Sequence, residues 1–482
     1  MTTTVYFWTL LAYMVALVGI GSIRSRGVRT QEDFSVAGRQ LNTFVLFGTM
    51  LATWIGTGSI FGNAEKTYRV GLAALILPLG GLVGILILYL LAGRVRRLEQ
   101  LTVQDILETR YNAGARVFGV VTLVVAYTTI VSYQYRAAAA VLTLALPEMS
   151  YTTAVIIVAI FIILYTALAG MFSVAYTDVA MGITMIFGIA ITFVIFWFKV
   201  GGLPGLHAAL PPEHFQIFGP IPKVEALGLV LPPFLLVMGD ANMYQRFFSA
   251  RTAGIAQRAV FWTLLGVAFM ESMIILAAWV GSGLEPNLEV HGRVIAYAAR
   301  DYLPVSLGAI VMTTIMAIIL STAISYLLVP ATSIIRDVYQ RFINPGASER
   351  SIVVLSRVTV VLLGVAAFLL SKLSNEFLKV ALYAYTIYGA GITPSLIAAF
   401  FWKRATASGA IASILAGTAV TLAWEILGLG ARVPQYLGLP PDVTVDAVIP
   451  AILGSVLSLI VVSNLSAPPA KDRLVPFFGE GA

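Results

Sequence analysis

The 482-residue chain has no cysteine and three histidines, and only 11% of its residues are charged. The missing cysteines exclude disulfides, thiolate metal sites and a cysteine nucleophile. His207, His214 and His291 are scattered and make no metal constellation, and no nucleophile, base and orienting acid stand together, so an enzyme is not expected. The first apolar run lacks a basic start and a small-residue cleavage site, which reads as a retained helix rather than a cleaved leader. The tail after Asn464 is short and proline-rich, and the loops are too small to fold alone, so no appended soluble domain is expected.

What is present is apolar. Hydrophobic residues make up 59% of the chain, and the mean hydropathy of +0.91 exceeds what a soluble core absorbs. Apolar runs of about 18–25 residues between charged or Pro/Gly-rich breaks predict an all-α polytopic membrane protein. The expected spans are 13: 5–24, 42–62, 72–93, 117–146, 151–171, 178–198, 226–248, 259–280, 304–335, 352–371, 377–401, 405–428 and 445–464. The net charge of +7 lies in short loops between them, which reads as topology rather than as a nucleic-acid partner. Loops carrying Arg26, Arg94, Arg96, Arg97, Arg246, Arg251, Arg336, Arg341 and Lys403 alternate with loops carrying Lys66, Arg69, Lys199, Lys372 and Lys379. The first set holds roughly twice the basic residues of the second, which puts the N-terminus outside and the C-terminus in the cytoplasm of a cell (inner) membrane. The lipid bilayer is then the one macromolecular surrounding implied, with no nucleic acid and no protein partner.

Two spans are broken. In Phe44–Asn63, Gly56 and Gly58 interrupt a run long enough to cross, each weakening a helix interior by roughly 1 kcal/mol. Near Pro232–Asp240, two prolines remove backbone donors ahead of Gly239 and Asp240. Carbonyls freed in hydrocarbon need another partner or a cation, and secondary transporters build central sites from such helices at matching places in two repeats. Spans two to six and seven to eleven overlay as a 5+5 inverted repeat led by the two broken helices. The expected organisation is a peripheral first helix and basic loop (1–41), a first repeat (42–198), an outer loop (199–225), a second repeat (226–402), and two peripheral helices with a tail (403–482).

The chain resembles the sodium:solute symporter family, which shares the inverted-repeat fold of the bacterial leucine transporter. The resemblance rests on DFSVAGRQLNTFVLFGTMLAT, LTVQDILETRY, YTALAGMFSVAYTDVAMG, GDANMYQRFFSA, LSTAISYLLVPATSIIRDVY and YGAGITPSLIAAFFWKRATASGAIASILAG, and it covers nearly the whole length. Met181 departs from the Gln that many members carry after the TD pair, and Ala169 from the first Gly of a common GG. The resemblance implies a co-transported sodium ion held by the Ala52, Ile55 and Ile318 carbonyls and the Ser321 and Thr322 hydroxyls. Ser321 and Ser325 lie one helical turn apart. Some members hold a second sodium with residues matching Asp178 and Ser325, although Ile324 stands here where they have serine. Hydroxyls in a membrane helix also bond to their own backbone or mediate packing, which is the plainer reading of each taken singly.

Arg136 lies roughly 30 Å from one end of its span and 15 Å from the other at 1.5 Å per residue, and an intramembrane arginine is normally paired or functional. Its planar fork suits a carboxylate, and in sialic acid members an arginine of this helix holds the substrate carboxylate. The rival reading pairs it with Glu271 or Asp240. Gln134 on the same helix, and Thr53, Thr57 and Ser59 at the first break, complete the expected solute contacts. Trp54 stands where proline carriers have an acidic residue, which speaks against proline. The expectation is a sodium-coupled symporter importing a small, carboxylate-bearing organic solute by alternating access. The alternatives are a neutral solute such as a sugar, or a proton-coupled carrier. A channel would need polar residues along a continuous path, and a sensor an attached signalling domain.

Overall fold

A computed structural model describes residues 2–25, 28–218, 221–372, 377–436 and 444–479; Arg26, one of the expected inner basic residues, lies outside them. The elements that matter are α1 (Thr2–Ser25), α2 (Thr43–Trp54), α3 (Ala64–Val70), α4 (Leu77–Arg97), α5 (Ala113–Ala145), α6 (Tyr151–Val200) and α7 (Lys223–Gly239). They continue as α8 (Ala241–Ser249), α9 (Ala253–Leu284), α10 (Val305–Ser333), α11 (Glu349–Leu370), α12 (Phe377–Phe401), α13 (Ala407–Ile426) and α14 (Val448–Leu465). Among the described residues there is no strand, only an isolated bridge between Leu41 and Ala250.

By length and composition, 11 helical runs among the described residues can cross a membrane, against the 13 expected. The difference lies in how helices join. α6 is one 50-residue helix containing both expected spans 151–171 and 178–198, and α2, at 12 residues, is too short to count alone. Within α6 the direction changes at Gly170, whose φ of 65° and ψ of 173° no side-chain-bearing residue adopts without strain. A methyl there would also lie 3.0 Å from the Phe34 ring.

Local chemistry sets the helix starts. Asn42, Asn112, Ser150, Thr252, Ser348 and Thr406 each accept an N–H from the first turn of the helix that follows, satisfying donors that hydrocarbon would leave bare. Burial grades from centre to rim: 89% of the apolar window containing α10 is buried, against 28% for α1 and for α14. α10 packs on α5, α6, α1, α2 and α11, and α7 lies between α4 and α12. Leu90, Leu164, Phe187, Leu362 and other large apolar side chains face outward, as lipid contact requires. Because α10 has no lipid face to speak of, its hydroxyls must find partners inside the protein.

The second interruption differs from expectation. α7 runs unbroken through Pro232 and Pro233 and stops at Gly239. The break is at Asp240, with φ −57° and ψ 109°, whose side chain caps α8 by accepting the Asn242 amide at 3.0 Å. A capping carboxylate at the join thus ends the helix where the prolines do not.

Candidate functional site

At the first break Trp54 ends α2, Ile55 is extended (φ −75°, ψ 106°), and the chain resumes as a π-helical turn over Gly58–Asn63 before α3. The Thr57 amide, which an unbroken helix would direct at the Thr53 carbonyl, instead donates to Gln134 Oε1 at 3.3 Å. This frees the backbone oxygens of the turn. Thr322 Oγ1 on α10 faces three carbonyls, those of Thr53 (3.2 Å), Ile55 (3.0 Å) and Ile318 (3.3 Å). One hydroxyl proton serves one acceptor at a time, so the cluster carries more oxygen lone pairs than donors. That excess suits a hard cation of low charge.

Of the five residues expected to hold sodium, Ile55, Ile318 and Thr322 meet here, and Ala52 is buried in the adjoining turn. Ser321 turns the other way and donates to Asp178 Oδ1 at 2.6 Å. Gly56 is required by this closeness: a methyl there would lie 2.8 Å from Thr322 Oγ1 and 3.1 Å from Gln134 Nε2. Gly56→Ala is expected to raise the sodium concentration for half-maximal uptake by about tenfold or more, as for a displaced ligand shell, measured as initial uptake rate against sodium.

A second polar cluster lies beside the first, and its central member was not foreseen. Arg246, expected in an inner loop, is completely buried on α8. Its guanidinium reaches Asp178 Oδ2 (3.3 Å), Ser325 Oγ (2.9 Å), Thr49 Oγ1 (3.0 Å) and the Thr53 hydroxyl. Thr53 and Ser325 also meet, 3.1 Å apart. Asp178 and Ser325, the residues expected for a further sodium, therefore surround a built-in cation. The overlooked signal was Arg246 itself, one helical turn after Asn242, whose carbonyl accepts from it at 3.2 Å.

Between the halves lies a cavity of about 50 Å³ lined by Trp54, Gly58, Ser59, Asn63, Leu236, Glu271, Thr322, Tyr326 and Tyr385, among others. That is room for a few waters and less than an organic solute occupies. Ser59 and Thr322 line it, so ion cluster and cavity share Thr322. Thr53 is committed to Arg246, and Thr57 Oγ1 to Gln134 Oε1. Gln134 Nε2 is buried with no hydrogen-bond partner among the described residues.

Arg136 is elsewhere. It is not part of the cavity wall; its Nε lies 3.5 Å from the hydroxyl of Tyr151, the first residue of α6, which in turn donates to the Arg136 carbonyl at 3.1 Å. Its two proposed acid partners are engaged by other groups. Glu271 accepts from Ser59 and Asn63, and Asp240 from Tyr127, Asn242 and Tyr326.

The sodium:solute symporter family model matches residues 34–417, which span both broken helices and α10. The chain belongs to the sodium:solute symporter family. This member is 26% identical to the sodium/proline symporter of Haemophilus influenzae, over 97% of its own length and 96% of the relative's. It is also 26% identical to the sodium/pantothenate symporter of Escherichia coli, over 94% and 95%. Among solved structures, a substrate-bound, outward-open Na+-coupled sialic acid symporter matches with a TM-score of 0.79 at 17% identity, covering 96% of this chain and 98% of that one. Mhp1, a nucleobase-cation-symport-1 family transporter, matches at 0.62 with 11% identity over 92% and 97%. The fold is that of these transporters.

Proposed function

We propose that this family member is a sodium-coupled symporter that imports a small, carboxylate-bearing organic solute, with one sodium ion per cycle. The observation that carries this reading is Thr322, whose hydroxyl sits among three carbonyls at the first break while its side chain also lines the cavity. A sodium ion at the carbonyls of Ala52, Ile55 and Ile318 and the hydroxyl of Thr322, joined by Ser321 when its hydroxyl turns from Asp178, ties the broken helix to α10. That fixes the wall against which the solute binds. Coupling of this kind is a free energy shared between two ligands, so each raises the affinity for the other by the same factor.

The carboxylate meets the amides that open the second half of the broken helix, at Gly58 and Ser59, and Gln134 Nε2, which has no hydrogen-bond partner among the described residues. Arg136, held at Tyr151, anchors α5 to α6. A single sodium is favoured because Arg246 already neutralises Asp178. Alternating access follows from rocking of the helix bundle against the remaining spans, with the N-terminus outside and the C-terminus in the cytoplasm. Names of relatives bring both proline and pantothenate within range; both carry a carboxylate.

The test is uptake into proteoliposomes under an inward sodium gradient, with potassium as the control. Initial rate is expected to rise hyperbolically with sodium, with a Hill coefficient of about 1. A clearly sigmoidal curve overturns the single ion. Equal uptake in potassium, or uptake driven by a proton gradient alone, overturns sodium coupling.

A further inference from the structure

Among the described residues, Glu271 is the one ionisable group in the cavity wall apart from tyrosines. It projects from the middle of α9, is 4% exposed, and forms no ion pair among the described residues. Ser59 Oγ donates to its Oε1 at 2.7 Å and Asn63 Nδ2 to its Oε2 at 2.6 Å. Both partners lie on the second half of the broken helix and both are neutral, so the carboxylate is fixed in position without being neutralised. Each of its oxygens keeps a further lone pair. Trp54, Tyr326 and Tyr385 put aromatic rings on the same cavity, and aromatic faces attract cations. A carboxylate held without a counter-ion in a water-poor, aromatic-lined cavity is costly to keep ionised unless a cationic group enters beside it, and otherwise takes up a proton.

We infer that Glu271 recognises a cationic nitrogen of the solute, so that the transported class is ammonium-bearing carboxylates rather than nitrogen-free acids or sugars. The inference rests on the symport reading and narrows it. The two charged ends of such a solute are met by opposite features of one cavity wall: the amides of Gly58 and Ser59 for the carboxylate, Glu271 for the nitrogen. Ser59 and Asn63 act as positioning residues that hold Glu271 toward the cavity. The same arrangement ties α9 to the broken helix, so solute binding reports on that helix directly.

The experiment uses the purified full chain in detergent, its melting temperature followed in sodium and in potassium. The probes are matched pairs differing in the nitrogen: L-proline and cyclopentanecarboxylate, L-alanine and propionate, L-phenylalanine and 3-phenylpropionate, with D-galactose as a neutral solute. At least one ammonium-bearing probe is expected to stabilise the protein in sodium, with its nitrogen-free partner about ten- to a hundredfold weaker. Glu271→Gln should weaken that probe by a similar factor, and Glu271→Asp by less, while the sodium response without solute stays as in the wild type. Binding unchanged in Glu271→Gln, a nitrogen-free acid or galactose binding best, or no ammonium-bearing probe binding would each overturn the inference. Absence of any sodium response in the wild type would instead strike at symport. Should Glu271→Gln fail to fold, the matched pairs on the wild type decide alone.

Discussion

Replacing Ser321 and Thr322 together by alanine is expected to abolish sodium-dependent uptake and to remove the sodium-induced rise in melting temperature. Thr322 supplies the hydroxyl that faces the three carbonyls, and Ser321 a second oxygen one residue away. Mutations beside a metal site commonly cost 10–100-fold in affinity, so losing two direct oxygens should raise the half-saturating sodium concentration by at least about 100-fold. The fold itself should survive. Each hydroxyl contributes one hydrogen bond, worth about 1 kcal/mol net for Thr322 and about 1.5–3 kcal/mol for Ser321, which donates to a carboxylate, and the methyl left by alanine fits the buried helix. The control is Thr313→Ala on the same helix: that hydroxyl bonds back to the Ala309 carbonyl at 2.8 Å and touches neither cluster, so its uptake curve should overlay the wild type. Sodium titrations of uptake and of melting temperature make the measurement. Sodium-dependent uptake persisting in the double variant would move the ion elsewhere.

The residues that could be found in the sequence are those whose local cost betrays them. Gly56 and Gly58 spoil a span that needs no glycine, and the break lies beside them at Ile55. Thr322 is one of several hydroxyls in a helix that the surrounding helices bury almost completely, so it had to have a partner within the protein. The second break was legible as a region but not as a residue. Pro232 and Pro233 are accommodated within α7, whereas the helix ends at Asp240, whose own carboxylate captures the Asn242 amide.

Pairings across the chain were out of reach. Arg246 reads as the basic end of a span because it follows a polar stretch, and nothing near it in sequence announces Asp178, 68 residues earlier. Glu271 and Arg136 are both charges inside spans, and one-dimensional reasoning joins them. In three dimensions each has a different neighbourhood, Ser59 and Asn63 for the one and Tyr151 for the other. Periodicity gives depth along a helix; which neighbour a side chain faces depends on how the helices are packed.

The Arg246–Asp178 pair supports the second large prediction. Arg246→Met leaves Asp178 a buried charge facing only hydroxyls, Thr49 and Ser321, and removing one partner of a buried pair costs about 3–5 kcal/mol. The variant should melt well below the wild type in potassium. Adding Asp178→Asn removes the stranded charge, so the double variant should be more stable than Arg246→Met alone, a coupling read directly from the double-mutant cycle. The single variant makes a sharper demand. With the guanidinium gone, Asp178, Ser325, Ser321 and Thr49 become an all-oxygen cluster bearing one negative charge, chemistry that suits sodium. Sodium should therefore stabilise Arg246→Met more steeply than it stabilises the wild type, with a second binding event in the titration, and Asp178→Asn should abolish that extra event. Equal, single-site sodium curves for wild type and Arg246→Met would mean that the arginine is not standing in for an ion. In that case the stoichiometry would be limited by something other than charge already in place at Asp178.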